Sequence, residues 1–120
     1  MKIGIPTMGD SGLDEQVSHH FGRAPTFTIV NADTDELRIV PNTSEHQGGS
    51  GKPPELMAEN DVDIMLCSNL GPRAIKMFED IGIEVYTGAD GTVEETLESW
   101  RSGELSEATD RDACRQHRHG

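Results

Sequence analysis

Asp63-Ile64-Met65-Leu66-Cys67-Ser68-Asn69-Leu70-Gly71-Pro72 sits near the middle of this 120-residue chain. Its first half holds an unbroken apolar run, Ile64-Met65-Leu66, with no polar residue alternating through it. Such a run belongs to a strand covered on both faces, so Asp63 to Cys67 reads as a buried strand. Gly71-Pro72 then opens a helix, proline being at home in a first helical turn. Its apolar positions Ala74, Ile75, Phe78 and Ile81 recur at helical spacing. Gly82 stops it, and Ile83-Glu84-Val85-Tyr86 is the next strand.

Upstream, Lys2-Ile3-Gly4-Ile5-Pro6 is a short first strand, followed by a long polar loop from Thr7 to Ala24. Thr26 to Asn31 and Leu37 to Pro41 form a hairpin through Ala32-Asp33-Thr34-Asp35. A second loop, Asn42 to Lys52, carries His46 and three glycines, and a short helix runs from Pro54 to Asn60. Downstream, Thr92-Val93-Glu94-Glu95 has the form of a capping box. Val93, Leu97 and Trp100 give the helix it starts one apolar stripe. Apolar periodicity ends at Ser102, so residues 104–120 are expected to be a flexible tail after a domain of residues 1–103.

A hairpin followed by two strand–helix–strand units predicts an α/β fold with helices on both faces of a mixed sheet. Right-handed crossovers set five strands in the order 3-2-1-4-5, with strand 2 antiparallel. The winding reverses between the first strand and the strand at 63–67. Open α/β sheets bind ligands at that reversal, beyond the carboxyl ends of the strands. The loops leaving there bring His19, His20 and Arg23 toward Cys67, Ser68 and Asn69.

Composition narrows the partners. Twenty-two acids stand against ten Lys and Arg, a formal charge of −12. The acids Glu104, Glu107, Asp110 and Asp112 offset Arg101, Arg111, Arg115 and Arg118, so the excess resides in residues 1–100. Binding a phosphate backbone needs clustered Lys and Arg, so no nucleic-acid partner is expected. No apolar run approaches the ~20 residues of a membrane span, and no leader-like segment precedes Ile3. The expectation is a cytoplasmic protein with no membrane partner. Cys67 and Cys114 are too far apart in sequence for a zinc-finger framework.

Two groups of side chains carry metal chemistry. The first is His20 with Cys67, imidazole and thiolate being ligands for iron, zinc, copper and iron–sulfur species. Neighbours in an extended loop point opposite ways, so at most one of His19 and His20 is expected to ligate directly, and His20 is favoured because it abuts the Phe21-Gly22 turn. The alternative is a structural histidine and an inert, buried Cys67. The second group is Cys114, His117 and His119, a capture arm with three donors, one fewer than the about four of a closed zinc site. The alternative here is a weakly chelating tail. Gly71-Pro72 beside Arg73, with Arg23 opposite, is suited to an anion at a helix start. Ordinary helix initiation would need the same residues.

Other chemistries fail on particular residues. His46-Gln47-Gly48-Gly49-Ser50-Gly51-Lys52 lacks the first glycine of a phosphate loop, and Pro53 replaces its Ser or Thr. No nucleophile elbow is present. The order of elements is similar to ribonuclease H, whose two-metal chemistry needs inward carboxylates. The first strand has none, and Asp63 lies at the wrong end of its strand.

Met1–Pro6, Ser18–Val30 with His20-Phe21-Gly22-Arg23-Ala24-Pro25, Val62–Ala74 with Cys67-Ser68-Asn69-Leu70-Gly71-Pro72-Arg73-Ala74, and Ile83–Trp100 closely resemble, in the same order, the dinitrogenase iron-molybdenum cofactor biosynthesis family. That family includes nitrogenase accessory proteins of the NifX/NifY type. The resemblance implies a ribonuclease-H-like five-stranded sheet and no enzymatic activity. It also implies a carrier of the iron-molybdenum cofactor, its precursors or another iron–sulfur cluster, serving a cluster-assembly or acceptor protein. On that reading His20 and Cys67 ligate, while Arg23, Asn69, Gly71 and Arg73 complete the cofactor site. Cys114, His117 and His119 capture metal. The rival expectation is a metal-free interaction module using the same crevice.

Overall fold

The apolar run is strand β4 (Ile64–Cys67), and all four of its residues are buried. The structure is a computed structural model describing residues 1–42 and 53–109. β4 lies between β1 (Lys2–Thr7) and β5 (Glu84–Thr87) and runs parallel to both. Ile64 and Leu66 join Ile3 and Ile5 in one core layer, and Met65 and Cys67 join Phe27 and Val85 in the other. With both faces covered, the alternation of polarity disappears from the strand.

β2 (Thr26–Asn31) pairs antiparallel with β1, and β3 (Leu37–Pro41) antiparallel with β2. Between them Asn31 Oδ1 accepts the N–H groups of Asp33 and Thr34, an Asx turn that sets the hairpin. Helices α1 (Pro53–Glu59) and α2 (Pro72–Asp80) bury Met57 and Phe78 on the Cys67 face. Helix α3 (Val93–Arg101) buries Val93 and Leu97 on the opposite face. Its capping box is formed: Thr92 Oγ1 accepts from Glu95 N at 3.2 Å, and Glu95 Oε1 from Thr92 N at 2.9 Å. Ile81, expected in the buried stripe of α2, lies past the helix end and is 39% exposed.

The order β3-β2-β1-β4-β5 and the antiparallel β2 match the sequence reading, but the sheet has six strands and not five. β6 (Ser106–Glu107) pairs antiparallel with β5, Tyr86 opposite Glu107 and Thr87 opposite Ser106. Beyond it Ala108 N–H donates to Val85 O at 2.8 Å, and Val85 N–H donates to the buried Thr109 Oγ1 at 3.1 Å. The start of the expected flexible tail is thus tied down: Ser106 and Glu107 extend the sheet, and Ala108 and Thr109 are hydrogen-bonded to Val85. The reason is backbone satisfaction: the outer edge of β5 needs partners, and a two-residue strand too short for any periodicity supplies them. His46, Cys114, His117 and His119 lie outside the described residues.

Candidate functional site

β1 and β4 end side by side, and their chains leave in opposite directions, one into the long first loop and one into α2. The loop is tied back to the sheet. Ser18 N–H donates to Pro6 O at 2.8 Å, and Val17 N–H to Gly91 O at 2.9 Å. His20 N–H then donates to Ser18 Oγ at 3.2 Å, and Arg23 N–H to His20 O at 3.1 Å, closing a single 3-10 turn over Phe21–Arg23. Phe21 anchors this turn. Its ring is buried against Phe27 and Phe78, with centroids 5.6 and 5.5 Å away, one tilted and one edge-on. His20, Gly22 and Arg23 stay exposed.

Facing the turn is the segment between β4 and α2. Gly88 N–H donates to Ser68 O at 3.0 Å, and Ser68 Oγ donates to Ala89 O at 2.6 Å. Asn69 and Gly71 are left exposed, and Gly71 caps α2 with no side chain to accept from the helix N–H groups. Between the two segments lies an open depression of about 440 Å³, lined by His19, His20, Phe21, Gly22, Arg23, Asn69, Leu70, Gly71 and Ala74. A second lobe of about 360 Å³ shares Phe21, Gly22, Gly71 and Ala74 with it. That lobe adds Pro53, Pro54, Arg73 and Met77, so apart from Arg73 its wall is apolar.

Four of the residues singled out from sequence, His20, Arg23, Asn69 and Gly71, line the first lobe together. Arg73 lines the second. Cys67 does not reach either. It is fully buried in one core layer with Phe21, Phe27 and Phe78, and burial pushes its thiol up to about 12. A metal takes the thiolate, and a neutral thiol in apolar surroundings packs as a small hydrophobe. The expected His20–Cys67 ligand pair is therefore not assembled. The cause is parity: Cys67 falls on the same face of β4 as Met65, the face that α1 and α2 cover. Among the described residues no three His, Cys, Asp or Glu side chains converge as a metal-holding group.

His19 and His20 both border the cavity, as the path of their loop predicts. His19 Nε2 also lies 3.5 Å from Asp90 Oδ1, both side chains being exposed. The second, apolar lobe was not foreseen. Its one signal in the sequence is Phe21, a lone aromatic in a polar loop. The basic character expected from Arg23 and Arg73 extends further: among the described residues no carboxylate lines either lobe, while Arg23, Arg73 and two imidazoles do, and Asp90 stands beside His19 at the edge. A cleft lined by one sign of charge focuses potential on its ligand.

Comparison with known proteins agrees with this architecture. A Thermotoga protein described as a NifB candidate of the DUF35 family is 30% identical, with a TM-score of 0.77 over 91% of this chain and 94% of that one. The apo form of the orange protein from Desulfovibrio gigas is 26% identical, with a TM-score of 0.79 over 89% and 92% of the two chains. An uncharacterised protein of Methanocaldococcus jannaschii is 29% identical over 110 residues, 88% of this chain and 89% of its own length. The model of the family described as dinitrogenase iron-molybdenum cofactor matches residues 1–103, and the chain belongs to that family.

Proposed function

We propose that this protein binds and carries an anionic metal–sulfur cluster, the iron-molybdenum cofactor or an iron–sulfur species, in the two-lobed depression. The observation that carries the reading is that, among the described residues of a strongly acidic chain, two arginines and two histidines line the depression and no carboxylate does. Arg23 and Arg73 balance the cluster's charge, Asn69 and the backbone at Gly71 donate hydrogen bonds, and His20 supplies one imidazole ligand. Cys67 holds the wall of the cavity through packing and takes no part in ligation. Cys114, His117 and His119 are assigned a supplementary capture role, and a cluster-assembly or acceptor protein is the partner.

A ligand set this small and this exposed suits a carrier, which must release what it holds. It does not suit hydrolysis. Asp63, the acid nearest the central strands, lies at the opposite end of β4 and accepts Lys2 N–H at 2.9 Å. The ribonuclease-H-like connectivity is on this reading a scaffold for binding. The apolar second lobe favours one rival, a metal-free module that docks a partner in the same place.

Anaerobic loading with iron, sulfide and molybdate separates the two. The carrier gains visible charge-transfer absorption, which falls about tenfold in Arg23→Ala and in His20→Ala, the scale of one charge-assisted contact. Cys67→Ala loads like the unaltered chain. A protein that stays colourless under these conditions is the metal-free module.

A further inference from the structure

At two positions in the depression neither a positive φ nor crowding of a Cβ requires glycine. Gly22 lies inside the 3-10 turn and Gly71 at the N-cap of α2 with φ of −73°, conformations open to other residues. A Cβ built on either meets nothing within 4 Å. Of the remaining described glycines, five adopt positive φ and a Cβ on Gly4 would meet the buried Met65 Sδ at 2.6 Å, while one on Gly9, outside the depression, would meet only the flexible carboxylate of Glu15. Gly22 and Gly71 are also the two glycines shared by both lobes. They border the polar and the apolar lobe at once, at the waist where the two linings meet.

We infer that Gly22 and Gly71 set the size selectivity of the site. Their bare backbone keeps the two lobes continuous, so that a bulky polynuclear anion lies across both, and a mononuclear anion occupies the polar lobe alone. The inference rests on the carrier reading and specifies the ligand within it. Phe21 and Ala74 complete the same waist. Of these four shared residues only the glycines are exposed backbone without a side chain, and so only they admit close approach.

The test uses the full chain, Gly22→Ala and Gly71→Ser, each offered tetrathiomolybdate alone or iron, sulfide and molybdate together under anaerobic conditions. Serine at position 71 supplies the missing N-cap acceptor. Both variants should melt at or above the temperature of the unaltered protein. Retention of the assembled polynuclear species should weaken about tenfold in each, a larger loss than that of tetrathiomolybdate binding in the same variant. Equal loss of both anions, or no loss of either, overturns the proposal. A melting temperature lowered by several degrees would make the glycines structural and overturn it also. If the unaltered chain retains no polynuclear species, the carrier reading fails and this one with it, a result distinct from failure confined to the variants.

Discussion

Cys67 shows how one side chain's surroundings override its chemistry. A thiol at the end of a strand, near two histidines, has the donors for metal binding, but its face of β4 lies under α1 and α2. Burial holds its proton well beyond the ordinary thiol range, up to about 12. The unfolded chain releases that proton near pH 9 and the folded chain keeps it, so the unfolded state binds fewer protons above that point. This contribution to stability is therefore complete below about pH 8.5 and declines, by up to about 1.4 kcal/mol per pH unit, as pH rises toward about 12. Urea titrations at pH 7 through 11 should show this slope, and Cys67→Ala should flatten it while losing about 1–2 kcal/mol at pH 7 to the missing sulfur. An equal alkaline slope in the variant would refute the assignment. Phe21 belongs at this scale too. Phe21→Ala removes the ring that pins the 3-10 turn, with an expected cost of about 3–5 kcal/mol in chemical denaturation and loss of cluster retention.

Elements in this fold are held by a few identifiable terminal contacts. The α3 capping box satisfies two backbone donors reciprocally, and Thr92→Ala should cost about 1 kcal/mol in a thermal or urea melt. β6 is held by its pairing with β5 and by the two hydrogen bonds that Val85 makes with Ala108 and Thr109. Truncation after Thr109 keeps all of these; truncation after Gly103 removes them and bares the edge of β5. The shorter chain should melt several degrees below the longer one and associate more readily, measurable by light scattering. Identical melting and scattering would mean that β6 adds nothing to the sheet.

The whole chain is acidic, yet among the described residues no acid lines the depression. Residues 1–100 carry the entire excess of negative charge, and Arg23 and Arg73 are two of the six basic residues among them. Electrostatic capture by so few exposed cations is screened over about 10 Å at 0.1 M salt and about 3 Å at 1 M. Cluster uptake should accordingly slow severalfold between those concentrations, read by stopped-flow absorbance; a salt-independent rate would remove the electrostatic account. Among the described residues no helix is long and apolar enough to cross a membrane.

The α/β class, the strand order 3-2-1-4-5, the hairpin, both major helix starts and the crevice where the winding reverses were legible in the residues. These follow from local rules: apolar periodicity, turn and cap chemistry, and the handedness of crossovers. That His20, Arg23, Asn69 and Gly71 lie beside one cavity was legible for the same reason, since topology alone delivers their loops to one end of the sheet. The burial of Cys67 was not legible, because whether a strand's last residue faces a cleft or a core depends on which helices cover that face. β6 was missed because its pairing is set by the unfilled edge of β5, not by any pattern in Ser106 and Glu107. The apolar lobe joins Pro53 and Pro54 to Met77 and Phe21, residues from three separate segments that share no periodicity. Their meeting is a consequence of packing, which sums contacts over the whole chain, whereas sequence patterns report only on neighbours.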